Sequence, residues 1–124
     1  MTSCSLITNH VLMTNVPWKL YLDDLRTPSD STFVIARNMA DAQKLIMTDG
    51  VPTFISFDHD LGIDEHGILL PTGYAFAKWL VEMDMDGVIK LGEDFDFTVH
   101  SQNPVGAENI RAYLNNYMTS KNLK

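Results

Sequence analysis

The chain has 124 residues, about the length of one domain, and 45% of them are hydrophobic; that is enough for an ordinary core and too many for a disordered chain. Sixteen acidic residues against nine basic ones give a formal net charge of −7, with the basic residues dispersed, which disfavours broad binding to a nucleic-acid duplex because that mode needs a basic face. The single cysteine, Cys4, excludes an internal disulfide and leaves no thiolate metal motif, so a reducing cytoplasm is the expected setting.

Residues 1–16 hold Leu6-Ile7 and Val11-Leu12-Met13, broken by Thr8, Asn9, His10, Thr14 and Asn15. With neither a basic n-region nor a continuous apolar segment, they read as an N-terminal extension rather than a secretory signal. No apolar run approaches the ~20 residues of a membrane helix, so no membrane partner is expected. The rest, 17–124, reads as a single domain without repeats or linkers.

After Pro17, Trp18 to Leu22 alternates apolar and polar residues as a strand does and stops at Asp23-Asp24, followed by the turn-rich Leu25-Arg26-Thr27-Pro28. Ser29 to Thr32 is loop, and Phe33-Val34-Ile35-Ala36 is a second strand. Asn38 is placed to cap a helix, with Asp41 in its first turn, Ala42, Leu45 and Ile46 at helical spacing, and Asp49-Gly50 as its stop. Ile55-Ser56-Phe57, preceded by Val51-Pro52-Thr53-Phe54, is an apolar strand whose end changes at once to Asp58-His59-Asp60 and then Leu61-Gly62.

A polar loop, Ile63 to Gly67, leads to a helix from Thr72-Gly73, with Phe76, Trp79, Leu80 and Met83 forming its core stripe. Asp84-Met85-Asp86-Gly87 lacks the ligand spacing of a calcium loop and reads as part of a solvated acidic connection. Phe95 to Val99 is the last strand. It runs into His100-Ser101-Gln102-Asn103-Pro104, in which Asn103 caps a final helix marked by Ile110, Tyr113, Leu114, Tyr117 and Met118.

This order implies an α/β fold: a parallel sheet, helices on both faces, and strand order 2-1-3-4. That order sets the first and third strands side by side, so that Asp23, Asp24, Asp58 and Asp60 converge at the carboxyl edge where such sheets bind ligands. His59, His100 and Ser101 are expected nearby, with Arg26 reaching over from the first loop and backbone amides at 102–106 available to an anion. Carboxylates at this density repel one another unless a cation neutralises them; oxygen ligands favour Mg²⁺ or Mn²⁺, while the imidazoles leave room for a softer ion. Each of these residues also has a plain structural alternative, as a turn cap or an ion-pair partner.

Four segments together resemble a known family. They are Leu22-Asp23-Asp24-Leu25-Arg26-Thr27-Pro28, Ser56-Phe57-Asp58-His59-Asp60-Leu61-Gly62, Thr72-Gly73-Tyr74, and His100-Ser101-Gln102-Asn103-Pro104-Val105-Gly106 with Asn109-Ile110. In this order they resemble the cyclic-phosphate processing receiver domain, a divergent relative of response-regulator receivers.

The resemblance implies a flavodoxin-like three-layer sandwich without the ordinary fifth receiver strand and its lysine. In receivers the counterparts of Asp23 and Asp24 hold Mg²⁺, that of Asp58 accepts a phosphoryl group and Ser101 matches the fourth-strand hydroxyl. His59, Asp60 and His100 depart from that pattern, and the roles expected here are a metal held by Asp23, Asp24, Asp58 and Asp60, catalysis by His100, His59 and Asp58, and substrate contacts from Arg26, Ser101 and Asn103. The activity implied is metal-dependent hydrolysis of a cyclic phosphate on a small nucleotide or an RNA end, in a bacterial cell or a phage-infected host. The alternative is a non-catalytic receiver-like module that binds a nucleotide or a protein partner.

Overall fold

The computed structural model describes residues 17–121; the expected extension at 1–16 lies outside them. In chain order the elements are β1 (Lys19–Leu22), β2 (Phe33–Ala36), α1 (Met39–Asp49), β3 (Phe54–Phe57), α2 (Gly73–Met85), β4 (Asp96–Val99) and α3 (Pro104–Ser120). The helix starts fall where the capping residues put them. Asn38, Thr72 and Asn103 accept from the amides of Asp41, Ala75 and Gly106, each covering a donor that the first turn leaves open.

The four strands form one parallel sheet in the order β2-β1-β3-β4, as the sequence implies. Because side chains alternate across a strand, Leu20, Leu22, Ala36, Ile55, Phe57 and Val99 share one face. They are buried there together with Ala42 and Ile46 of α1, Phe76 and Leu80 of α2, and Ile110, Leu114 and Met118 of α3. The steps β2 to β3 and β3 to β4 run the same way across the sheet, so right-handed crossovers bring α1 and α2 to one side. Helix α3 packs beside α2.

Among the described residues, helices cover that side of the sheet. The step from β1 to β2 runs the opposite way and belongs on the second face, but residues 23–32 form a loop there, in keeping with Pro28 and the run Ser29-Asp30-Ser31-Thr32. Tyr21, Phe33, Ile35 and Phe54 lie on this second face and stand outside the hydrophobic core cluster.

The acidic connection after α2 is not wholly solvated. The Asp84 carboxylate is buried and accepts from the Leu91 amide, the Tyr117 hydroxyl and the Lys121 ammonium. These bonds tie the 86–95 loop to the end of α3 and give Asp84 a structural role. Among the described residues no helix is long and apolar enough to cross a membrane.

Candidate phosphate and metal site

Leu22, Phe57 and Val99 stand in register across β1, β3 and β4. The next residue of each strand is Asp23, Asp58 or His100. Their amides continue the ladder one step beyond the strands, from Asp23 to the Ala36 carbonyl (3.1 Å), from Asp58 to that of Leu22 (2.9 Å) and from His100 to that of Phe57 (2.9 Å). By alternation all three belong to the second face, in line with Tyr21, Ser56 and Thr98. One ligand atom from each lies within 4.8 Å of the others.

Asp23 is only 1% exposed. Its Oδ1 accepts from the amides of Leu25 and Arg26, both at 2.9 Å, and its Oδ2 accepts from His100 Nε2 at 3.0 Å. Burial pushes this carboxyl up, but the two amides and the His100 ring outweigh it and hold the group below the usual carboxylate range. Asp58, 6% exposed, goes the other way. Burial first and the charge of Asp23 second push it above that range, with the His59 amide and the Ser101 hydroxyl only partly offsetting them.

The His100 ring is held on three sides. Nε2 meets Asp23, Nδ1 lies 2.7 Å from the Ser56 hydroxyl, and the ring stacks on Tyr21 with centroids 4.5 Å apart and planes 5° from parallel. An ionised carboxylate can only accept, so Nε2 carries a proton, and in the neutral ring Nδ1 accepts from Ser56. Ser56 is a site residue that the sequence reading missed. It sits two positions before Asp58, on the same face, and that parity was its signal.

A cleft of about 380 Å³ opens above this floor, lined by Asp24, Arg26, Asp58, Asp60, Gly62, Ser101, Gln102 and Asn103. Asp24 and Asp60 are thus on its wall, outside the compact group of Asp23, Asp58 and His100. The Arg26 guanidinium reaches the cleft with its Nε 3.6 Å from Asp23 Oδ2 and its Nη1 3.4 Å from the His100 carbonyl.

His59 is turned away from the group. Its Nδ1 donates to Asp60 Oδ1 at 2.8 Å, and its ring lies against Gly106, where an added Cβ would fall 2.4 Å from His59 Cγ. Two of the amides expected to meet an anion are committed. That of Asn103 donates to Ser101 Oγ and that of Gly106 to Asn103 Oδ1, while Pro104 has no N–H.

Between Asp60 and Thr72 the chain makes a hairpin closed by the Ile63 and Leu69 bridge and by bonds from Asp64 to the Ile68 carbonyl and from Leu70 to that of Gly62. Both ends of this excursion are fixed. The Gly73 amide donates to the His59 carbonyl at 2.8 Å, and a Cβ at Gly73 would lie 1.9 Å from the Asp58 carbonyl oxygen, so only glycine fits where α2 begins.

The sequence model of the cyclic-phosphate processing receiver domain matches residues 18–116, most of the chain and every element from β1 to α3. The chain belongs to this family. No curated protein and no solved structure matches it. The four motif segments of this cyclic-phosphate processing receiver domain all fall on the cleft or on the contacts that shape it.

The site fits a divalent cation. Two buried carboxylates lie close together, one of them pushed up by burial and then by the charge of the other, with the half-exposed guanidinium of Arg26 3.6 Å from Asp23. Asp23, Asp58 and His100 could hold such an ion, as receiver domains hold divalent metal.

Proposed function

We propose that the protein hydrolyses a cyclic phosphate on a nucleotide or RNA end to a phosphomonoester. In that reaction water adds to phosphorus, one of the two ring P–O bonds breaks, and the released ribose oxygen takes a proton. The observation that carries this reading is the meeting of Asp23, Asp58 and His100 at the floor of a cleft whose rim holds Arg26, Ser101 and Asn103. A Mg²⁺ or Mn²⁺ ion held by Asp23 and Asp58, with His100 at its margin and Asp24 and Asp60 on the wall, would neutralise phosphoryl charge and acidify water.

The chain's own groups supply the remainder. Arg26 pairs with a phosphoryl oxygen, and Ser101 and Asn103 donate to the others. His100, oriented by Ser56 and Asp23, moves the proton between water and the leaving oxygen. His59 acts through Asp60 and Asn103, fixing the cleft wall.

The test is incubation of the full chain with 2′,3′-cyclic nucleotides and Mg²⁺ or Mn²⁺, followed by ³¹P NMR. Phosphomonoester should appear, and Asp23→Asn and Asp58→Asn should abolish it. Absence of both turnover and divalent-ion binding would sink the reading. The second reading, a binding module, is favoured by one observation: both ring nitrogens of His100 are already engaged by Ser56 and Asp23. Ion-dependent nucleotide binding without product would select it.

A further inference from the structure

Arg37 carries a charge that the proposed reaction does not use. It stands between Ala36, the last residue of β2, and Asn38, the cap of α1, so its backbone is held from both sides. Leu22 pairs with Ala36, and by alternation the Arg37 side chain falls on the second face, beside the loop that leaves β1. Half-buried there, it donates three hydrogen bonds into that loop. Nη1 meets the carbonyls of Asp23 at 3.2 Å and Arg26 at 2.6 Å, and Nη2 meets the Thr27 hydroxyl at 3.2 Å.

These bonds complete the turn from Asp23 to Arg26. The amides of Leu25 and Arg26 donate to Asp23 Oδ1, both at 2.9 Å, and the carbonyls of Asp23 and Arg26 are taken by Arg37. The backbone groups of the turn are thus satisfied by one carboxylate and one guanidinium. Fixing the Asp23 carbonyl helps set where its side chain points, toward Asp58 and His100. Fixing the Arg26 carbonyl anchors the root of the side chain whose Nε lies 3.6 Å from Asp23 Oδ2.

We infer that Arg37 is a positioning residue of the site, which holds the 23–27 loop so that Asp23 is preset to take a divalent ion and Arg26 to reach the cleft. That it serves an ion rests on the function proposed above; that it holds the loop does not. A guanidinium suits the task because its rigid fork meets several acceptors at once, whereas an ammonium is a point charge. Groups that orient a metal-binding side chain from behind typically change affinity by about 10- to 100-fold. The charge of Arg37 acts in the opposite direction, because a cation near a divalent ion repels it. Removing the side chain therefore weakens ion binding if Arg37 positions the loop, and tightens it if the charge is all that matters.

The experiment compares the full chain with Arg37→Met, which keeps the stem and drops the charge, and Arg37→Lys, which keeps the charge and drops the fork. Mn²⁺ is titrated by electron paramagnetic resonance, and amide hydrogen exchange is followed by NMR in chelator. Both variants should bind Mn²⁺ about tenfold more weakly than the parent. In chelator their Leu25 and Arg26 amides should exchange about tenfold faster or more, while the amides within β1 and β3 stay protected, which separates release of the loop from loss of the fold.

An Arg37→Met protein that binds Mn²⁺ as tightly as the parent, or more tightly, overturns the inference, as does unchanged exchange at Leu25 and Arg26. A parent that binds no Mn²⁺ refutes the cation site and the reaction built on it; exchange at those two amides then decides for or against Arg37 as the anchor of the loop.

Discussion

Replacing Asp58 with asparagine should stabilise the protein when divalent ions are chelated and remove most of the stabilisation those ions give. Asp58 and Asp23 offer oxygens within 4.8 Å of each other. Two unit charges at that separation repel by about 3.5 kcal/mol at an effective dielectric constant of about 20. The His59 amide, the Ser101 hydroxyl and Arg26 offset part of this, so the neutral amide should gain about 1 kcal/mol, or ~4 °C in Tm for a chain of this length. In the parent protein an ion at a hundredfold excess over its Kd adds about 2.7 kcal/mol, roughly 10 °C. Differential scanning calorimetry of both proteins with chelator and with Mg²⁺ or Mn²⁺ reads both effects. An asparagine variant that melts lower in chelator and keeps the full ion-dependent rise refutes the assignment of Asp58 to a cation site.

The same pair sets the pH dependence of stability. Asp58 is raised in the fold, so its contribution is favourable at low pH and is lost as pH rises through its raised pKa; Asp23 is lowered, so its contribution is lost as pH falls through its depressed one. In chelator, Tm should therefore rise on acidification from pH 7 toward the ordinary carboxylate range and fall below it, and Asp58→Asn should lack the rising limb.

Gly106→Ala should cost about 1–3 kcal/mol by overpacking against His59, and the cost measured by urea denaturation should shrink in a His59→Ala background. Asp84→Asn should destabilise by about 2–3 kcal/mol, because it takes a charged acceptor from Leu91, Tyr117 and Lys121. Calcium should shift neither that variant nor the parent through this loop in a thermal scan.

Much of the fold was legible because local signals agree with the tertiary arrangement. Asn38, Thr72 and Asn103 mark the helix starts, and the acids that end β1 and β3 mark the sheet's carboxyl edge, so strand order alone brings Asp23 and Asp58 together. His59 could not be placed in this way. Its direction depends on how closely α3 approaches β3, which Gly106 permits but no sequence period reveals. Ser56 was hidden by the apolar strand around it, and the exposure of the second face could be seen only once the 23–32 loop was found to leave Tyr21, Phe33 and Phe54 partly uncovered.

The hairpin between Asp60 and Thr72 leaves β3 and returns to it within a single hydrogen bond, from Gly73 to His59. Leu61 is anchored in the core and Gly62 lines the cleft, but beyond them the exposed Ile63, Ile68 and Leu69 lie away from Asp58. Segments of other length or composition could be exchanged there while the cleft floor stays in register, so this excursion works as a replaceable cassette. Variation in it would change what approaches the cleft without changing the groups inside, and a grafted loop that preserves Gly62 and Gly73 offers a direct route to redirecting the protein toward other ligands.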